Sequence, residues 1–514
     1  MDSLNLYWTD AHTNPHSNQV GILKEWLVQA KEMIDFWPVA YYPYYMRPVN
    51  NFAVEDIYDQ EIVSKDWEQV QAFVRENNKD HDFPIFLGYE WQGAGLDGDH
   101  NVFYLDDDMP IHTPLRYETL CEKLEKGRAI AIPHHLAYQV GERGKNWATH
   151  NPDYSPFAEI YSSHGCSESD HMNLSMQRHV HMGPRTSGGT VNEGLEQGHK
   201  VGIIASGDNH STPAVYGHGY MGVWAKDLTR ESLWEAMLAK RVYGVTGDRI
   251  QLQYSANGES MGSTINTDDS TLQHKINIEG SDSIHRVELY RNNLLVNDYT
   301  HTGKWERSEP EQIVELKFRL ELGWGPDTRV FHDITSRTWE GSLKVDGEIL
   351  GAEKCWTATG QSLELEGDTC NFKMISHKTT QTGKWMGPSP IENQAVIFNL
   401  KVNIDSHIET CINGKKYSVA VRDLLQASKL FGLVEEAVEL VSERFDVNSH
   451  YRNDPFWHNA YKIKFHQAVP AQSYKVDLTF DVNREKDNDF YSVKIFQTNG
   501  CQAWSSPIWI EPLS

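Results

Sequence analysis

The chain has 514 residues, with 47 Lys plus Arg against 72 Asp plus Glu. That length exceeds one ordinary core, so two or three domains are expected, and a net charge of −25 argues against nucleic acid or an anionic membrane as partner. Six widely spaced cysteines without a CxxC pair argue against a disulfide framework and for reduced thiols in a cytoplasm. The chain opens Met1-Asp2-Ser3 without a basic-then-apolar leader, and no apolar run is long enough to span a bilayer, so a cytoplasmic location is expected. Leu4-Asn5-Leu6-Tyr7-Trp8 predicts a first strand leading to Asp10 and His12. Lys24 to Met33 predicts a helix with Trp26, Leu27, Ala30 and Met33 near one face. Pro84 to Tyr89 reads as a strand running into Glu90. Tyr117 to Lys126 predicts a helix stopped by Gly127, followed by the strand Ala129 to Pro133 and the pair His134-His135. Phe157 to Tyr161 leads toward His164, and Val201 to Ile204 leads into Ala205-Ser206-Gly207-Asp208-Asn209-His210. Thr229 is the expected N-cap of a helix from Arg230 to Lys240 ending at Gly244.

Five short apolar strands each end in His, Asp or Glu. That is the layout of a metal site at the mouth of a β/α barrel. After residue 250 the helical period fades and segments such as Lys275 to Ile278, Arg286 to Tyr290 and Tyr474 to Phe480 alternate with period two. One amphipathic helical stretch, Val421 to Phe445, interrupts them. The expected organisation is an α/β distorted (β/α)7-type barrel over 1–250 carrying the metal site. A mainly β C-terminal region follows over 251–514, with an inserted segment near 310–470.

At these residues the chain resembles the polymerase-and-histidinol-phosphatase (PHP) superfamily of metal-dependent hydrolases, and within it an uncharacterised bacterial branch. The resemblance rests on Asp10-Ala11-His12-Thr13-Asn14, Gly88-Tyr89-Glu90-Trp91, Gly98-Asp99-His100-Asn101-Val102, Ile132-Pro133-His134-His135, Glu159 to Gly165 and Ser206 to His210. It extends to Arg241 to Ile250 and to the last strand near Ala503 to Trp509, and leaves residues of about 310 to 470 unmatched. The resemblance implies His12, Glu90, His134, His164, Asp208 and His210 as ligands of Mn, Zn or Fe, with Glu90 bridging two ions. His135, as ligand or acid/base, and Asp208 are the candidate catalytic groups. Glu159 is expected to orient an imidazole.

Two departures bear on metal number. Asn14 stands where the family has a second histidine, with His16 two residues on, and the family's Thr-Asp-His after the second strand is replaced by Tyr41-Tyr42. One or two divalent ions are therefore expected rather than three. Tyr41, Tyr45, His100 and Arg185 are candidate substrate contacts, Tyr42 a candidate catalytic phenol, and His171, Arg178, His179 and His181 surround Arg185 in a loop-rich stretch. Each has a plainer reading: the histidines as backbone-bonded strand ends, the aromatic run as core, the loop cluster as solvated surface. The function expected is hydrolysis of a phosphate ester or another small polar ester by a metal-activated water. Alternatives are a metal-dependent lyase or sugar-processing enzyme, with Tyr42, Tyr45 or His135 as base, and a metal-binding protein without activity. The expected partner is a small-molecule substrate, and oligomeric state is left open.

Overall fold

The computed structural model describes residues 4–49, 52–176, 182–303, 311–328, 330–377, 393–446 and 452–513. Arg178, His179 and His181 lie outside the described residues. The chain divides into two compact units: Met1–Glu279 with His285–Thr300 and Val476–Ser514, and Gly280–Ile284 with His301–Lys475.

The first unit begins with β1 (Asn5–Thr9), α1 (Leu23–Met33), β2 (Trp37–Tyr41), β3 (Tyr44–Val49), β4 (Phe52–Ile57) and α2 (Gln60–Asn77). It continues through β5 (Ile85–Trp91), β6 (His100–Tyr104), α3 (Tyr117–Cys121), β7 (Ala129–Pro133), β8 (Phe157–Ser162) and β9 (Gly165–Cys166). Then come α4 (Val191–Glu196), β10 (Gly202–Ala205), β11 (Tyr220–Ala225), α5 (Arg230–Leu238) and β12 (Val242–Val245).

The expected (β/α)7-type barrel does not form. The described structure is 43% strand and 18% helix, and its strands are divided among several sheets with no closed barrel among the described residues. In the four-stranded sheet β2-β5-β6-β7 only β2 and β5 run parallel; β6 is antiparallel to both β5 and β7. For β5 and β6 the reason lies in the connection. A parallel return needs a crossover of a dozen or more residues, and only residues 92–99 separate β5 from β6. A three-stranded sheet places β10 parallel to β8, with β9 folding back. β1 pairs antiparallel with β11, β11 with β12, and β12 with Gln502–Ser505, inside a nine-stranded sheet. A run of buried residues therefore marked the strands but not their direction.

Local signals behave as their chemistry dictates. Thr229 caps α5 by accepting from Ser232 N–H at 3.2 Å. That helix ends at Leu238, with Lys240 turning the chain at φ 57°, rather than at Gly244, which lies inside β12. The stretch Val421 to Phe445 is not one helix. Val421–Gln426 and Val434–Phe445 are helical, but Lys429–Gly432 between them is a strand antiparallel to Lys462–Phe465, because that edge offers its backbone groups a ladder.

The second unit holds a six-stranded and a five-stranded sheet, and every pairing between their strands is antiparallel. The strand Ile313–Gly323 alternates in burial. Its Leu316, Phe318 and Leu320 share one core with Trp339, Leu343, Phe372, Phe398 and Ile408, which come from both sheets.

In the first unit the apolar layer formed by Phe36, Ala40, Phe86, Phe103, Ile132, Phe157, Ile204 and Met221 joins β2, β5, β6, β7, β8, β10 and β11. The ends of β1, β5, β7, β8 and β10 meet above it. Phe490, Trp504 and Trp509 from the chain's last strands pack with Ile160 and Ile203 of β8 and β10. Deleting residues 476–514 should therefore unfold the first unit rather than trim it: loss of a cooperative thermal transition and of near-UV circular dichroism is expected, and a fragment melting like the full chain would refute this.

Candidate metal centre

The backbone is set by a buried carboxylate. Asp10 accepts from the N–H groups of His12 (3.0 Å), Gly207 (2.7 Å) and Ala214 (3.0 Å) and from the Thr13 hydroxyl (3.0 Å). It thereby ties the segment after β1 to the segment after β10, and Asn14 N–H to Asn209 O (2.8 Å) and Asn209 N–H to His12 O (3.1 Å) complete the join. A Cβ at Gly207 would lie 2.5 Å from Asp10 Oδ2, so no larger residue fits there without displacement. His135 and Asp208 both take left-handed backbone, with φ 33° and 51°. That conformation is uncommon for non-glycine residues, although Asp and His adopt it more readily than most.

Side chains from five strand ends then converge. His12 Nδ1–H donates to Glu159 Oε2 at 2.8 Å, which turns its Nε2 toward Glu90 Oε2 and Asp208 Oδ1, each at 3.5 Å. Glu159 also accepts from Ser206 Oγ (2.6 Å). Glu90 is held by the amides of Asn14 (2.8 Å) and Gln92 (3.0 Å), and His134 Nε2 stands 3.8 Å from its Oε1. Asp208 reaches His164 Nε2 at 2.9 Å and His210 Nε2 at 3.4 Å. Tyr138 OH fixes His164 Nδ1 at 2.7 Å, and His16 Nε2 lies 2.8 Å from His210 Nδ1. Asp99 stands 3.5 Å from His135 Nε2. His12, Glu90 and His134 each offer a ligand atom within 4.8 Å of the others, and so do Asp99, His134 and His135.

Several of these atoms are buried without a hydrogen-bond partner: both ring nitrogens of His134, Nδ1 of His135, Nε2 of His12, Oδ1 of Asp99 and Oδ1 of Asn14. Buried polar atoms are ordinarily paired. A lone pair on His12 Nε2 facing two carboxylates is unfavourable unless a proton or a metal cation lies between them. The donor set of imidazole and carboxylate suits Zn, Mn or Fe. His210, with 36% of its side chain exposed, marks the side from which solvent reaches the cluster.

The electrostatics show the same tension. Burial opposes charge on His12, yet the Asp208 and Glu159 carboxylates overcome it and raise its pKa well above the usual value. Burial, reinforced by the neighbouring His12 and His135, pushes His134 well below. Burial and His164 do the same to His135, and both rings are held neutral, the form that ligates metal. Burial works against ionised Asp208, but His12 and His164 hold it well below the usual range. Asp99 is pushed up to about 7 by burial against the pull of Arg143, with Glu90 adding to the rise.

The structure thus brings His12, Glu90, His134, His135, His164, Asp208 and His210 together, and Tyr42 joins them edge-on to His210 with centroids 4.9 Å apart. Tyr42 donates to Glu55 and accepts from Gln92 Nε2 at 3.0 Å. Tyr41 is not part of the cluster: its OH donates to Asp66 of α2 at 2.8 Å and its ring meets Trp67. Adjacent strand residues face opposite ways, so the two tyrosines cannot both enter one pocket. Tyr45 stacks on Tyr58 with centroids 4.5 Å apart. Arg185 donates to the carbonyls of Asp170, Cys166 and Leu174, bracing its own loop.

His100 stacks on Tyr117 rather than entering the cluster. Its Nδ1–H donates to Gly98 O at 2.9 Å, leaving Nε2 to accept from Lys145 Nζ at 3.2 Å. Lys145 is wholly buried, beside the rings of Tyr117 and Trp147, and burial brings its pKa down to about 7. Asp99, Arg143, Glu55 and Gln92 were not singled out by sequence. Asp99 lies inside the Gly98-Asp99-His100 motif beside the more conspicuous imidazole, and Arg143 carries no motif at all.

Residues 162–277, which include His164, Asp208 and His210, match a family described as a protein of unknown function, DUF3604. An uncharacterised protein of Chlamydia pneumoniae is 26% identical over 277 residues, 49% of this chain and 44% of that protein. Another from Chlamydia trachomatis is 25% identical over 239 residues, 42% and 38% of the two chains. The matched regions span less than half the length of these relatives. A crystal structure of a two-domain protein containing a predicted PHP-like metal-dependent phosphoesterase, from Bacteroides vulgatus, overlaps 82% of this chain and 96% of its own at 10% identity and a TM-score of 0.30. That score is too low for a common fold to be read from it.

Lys145 supplies a pH test. A base whose folded pKa lies near 7, against 10.5 unfolded, binds fewer protons folded than unfolded between those values, so its contribution makes stability rise with pH across that window. The advantage of Lys145→Met over the parent should therefore be largest at pH 7 and below, and shrink by on the order of a few kcal/mol toward pH 10. The lost bond to His100 is a constant offset. Urea melts of both proteins at pH 6.5 and 9.5 read the difference, and a pH-independent gap would show that Lys145 is charged when buried.

Proposed function

We propose that the chain is a metal-dependent hydrolase acting on a phosphate ester or another small polar ester through a metal-activated water, with one or two Mn, Zn or Fe ions held by His12, Glu90, His134, His164, Asp208 and His210. The observation that carries this reading is the set of buried ring nitrogens on His12, His134 and His135 that lack hydrogen bonds beside the carboxylates of Glu90, Asp99 and Asp208. A divalent ion bound there supplies Lewis-acid charge and acidifies a coordinated water.

The protein's own residues do the positioning. Glu159 fixes the His12 ring by its Nδ1–H, Tyr138 fixes His164, and the Asn14 and Gln92 amides lock the Glu90 carboxylate. Tyr42 is held as a neutral phenol, since burial and the nearby Glu90 and Glu55 raise its pKa well above the usual value. Its one proton is already donated to Glu55, so it serves as a fixed wall of the pocket rather than as a base. That disfavours lyase chemistry with Tyr42 as proton acceptor and leaves the neutral imidazole of His135 to take a proton during turnover. The half-exposed His210 and His16 stand where substrate enters, close to the Tyr42 ring.

Glu90→Gln and Asp208→Asn each remove one carboxylate charge facing His12. Each should lower metal content measured by mass spectrometry by at least one ion per chain. Each should also reduce ester hydrolysis at least a hundredfold and leave the far-UV circular dichroism unchanged. Full metal retention in both variants would overturn the ligand assignment.

A further inference from the structure

Arg143 is the cation closest to this cluster, and its surroundings resemble those of a bound ion. Its Nε and Nη2 both lie 2.6 Å from Asp99 Oδ2, its Nη1 donates to Glu55 Oε2 at 2.7 Å, and its Nη2 stands 3.9 Å from Glu90 Oε1. Its backbone is anchored as well. Arg143 N–H bonds Gly95 O at 2.8 Å, φ is 73°, and the following Gly144 sits so close to Tyr138 O that a Cβ there would fall 1.9 Å away. Asp99 is thereby divided: Oδ2 faces the guanidinium, while Oδ1, buried and without a partner, belongs to the carboxylate that meets His134 and His135. Glu90 is divided in the same way, its Oε1 toward Arg143 and its Oε2 toward His12.

We infer that Arg143 is a permanent cation built into the centre: it takes the position between Glu55, Asp99 and Glu90 that would otherwise hold a divalent ion, and so sets how many exchangeable ions the pocket retains. This rests on the metal-centre reading given above. A guanidinium does not deprotonate in a protein, and its planar fork gives each carboxylate a directed donor. It therefore keeps one positive charge between Asp99 and Glu55 at every working pH, whatever metal is supplied. It also orients Asp99 so that the other oxygen is left for the ion beside His134 and His135. With the guanidinium already facing Asp99 and Glu90 from one side, the pocket would hold fewer ions than its acidic residues would otherwise bind.

The test uses the full chain and Arg143→Gln, Arg143→Lys and Glu55→Gln variants. Each is dialysed against Mn(II) and against Zn(II), counted by mass spectrometry, and melted after chelation. Arg143→Gln should retain more metal per chain than the parent, bind added Mn(II) at least tenfold more tightly, and melt below Arg143→Lys when chelated. Arg143→Lys, which keeps the charge, should match the parent in metal count. Equal or lower metal in Arg143→Gln would overturn the inference, because an arginine that only orients Asp99 would cost metal when removed. Should Arg143→Gln fail to fold, Glu55→Gln reads the same balance from the other side: with one carboxylate fewer against an unchanged guanidinium, Mn(II) affinity should fall at least tenfold, and unchanged affinity overturns the inference. A parent chain without metal would instead sink the metal-centre reading. The chelated melts would still decide the charge role of Arg143, since equal melting of Arg143→Gln and Arg143→Lys refutes it.

Discussion

Glu90, Asp99, Glu159 and Asp208 are almost wholly buried within one small region, and most of the first unit's local arrangement answers the cost of keeping them there. At an effective dielectric of about 20, two like charges 4 Å apart repel by about 4 kcal/mol, and transfer from water adds to that. The chain offsets the repulsion with directed donors. Asn14 and Gln92 serve Glu90, His12 and Ser206 serve Glu159, His164 and His210 serve Asp208, and Arg143 serves Asp99. Burial still pushes the Asp99 carboxyl up to about 7 against the pull of Arg143. Asp10 is the counterexample within the same neighbourhood. Four protein donors satisfy it, so it works as a backbone clamp and not as a ligand.

The ends of the apolar strands were legible in sequence because a buried run that stops at Glu90, His134 or Asp208 leaves that side chain at a sheet edge, where few other roles suit it. Strand direction was not legible. Burial on both faces gives β5 and β6 the same apolar appearance whether they run parallel or antiparallel, and the deciding fact was the shortness of residues 92–99. The Tyr41-Tyr42 pair shows a second limit. Composition marked both as aromatic and near the site, but only strand alternation separates the one that meets His210 from the one that meets Asp66. Arg143 and Glu55 come from a loop and a hairpin with no spacing relative to the ligands, so nothing short of the fold could bring them to Asp99 and Tyr42.

The hairpin of β3 and β4 makes these two observations one. Its Glu55 accepts from Tyr42 and Arg143 together, so the wall of the cluster and its nearest cation are fastened to the same carboxylate. An element that resembles an appendage in strand order is thereby coupled to the charge balance of the centre.

His135 and Asp208 carry a final consequence. Both hold left-handed backbone that glycine would adopt at no steric cost, whereas a side chain there is disfavoured by about 1 kcal/mol or more each. Glycine there would relieve that strain and abolish the side chain's chemistry together. The persistence of an imidazole and a carboxylate at those two positions, or their loss, therefore gives a record of whether selection has acted on chemistry at this site in any homologous chain, readable from sequence without an assay.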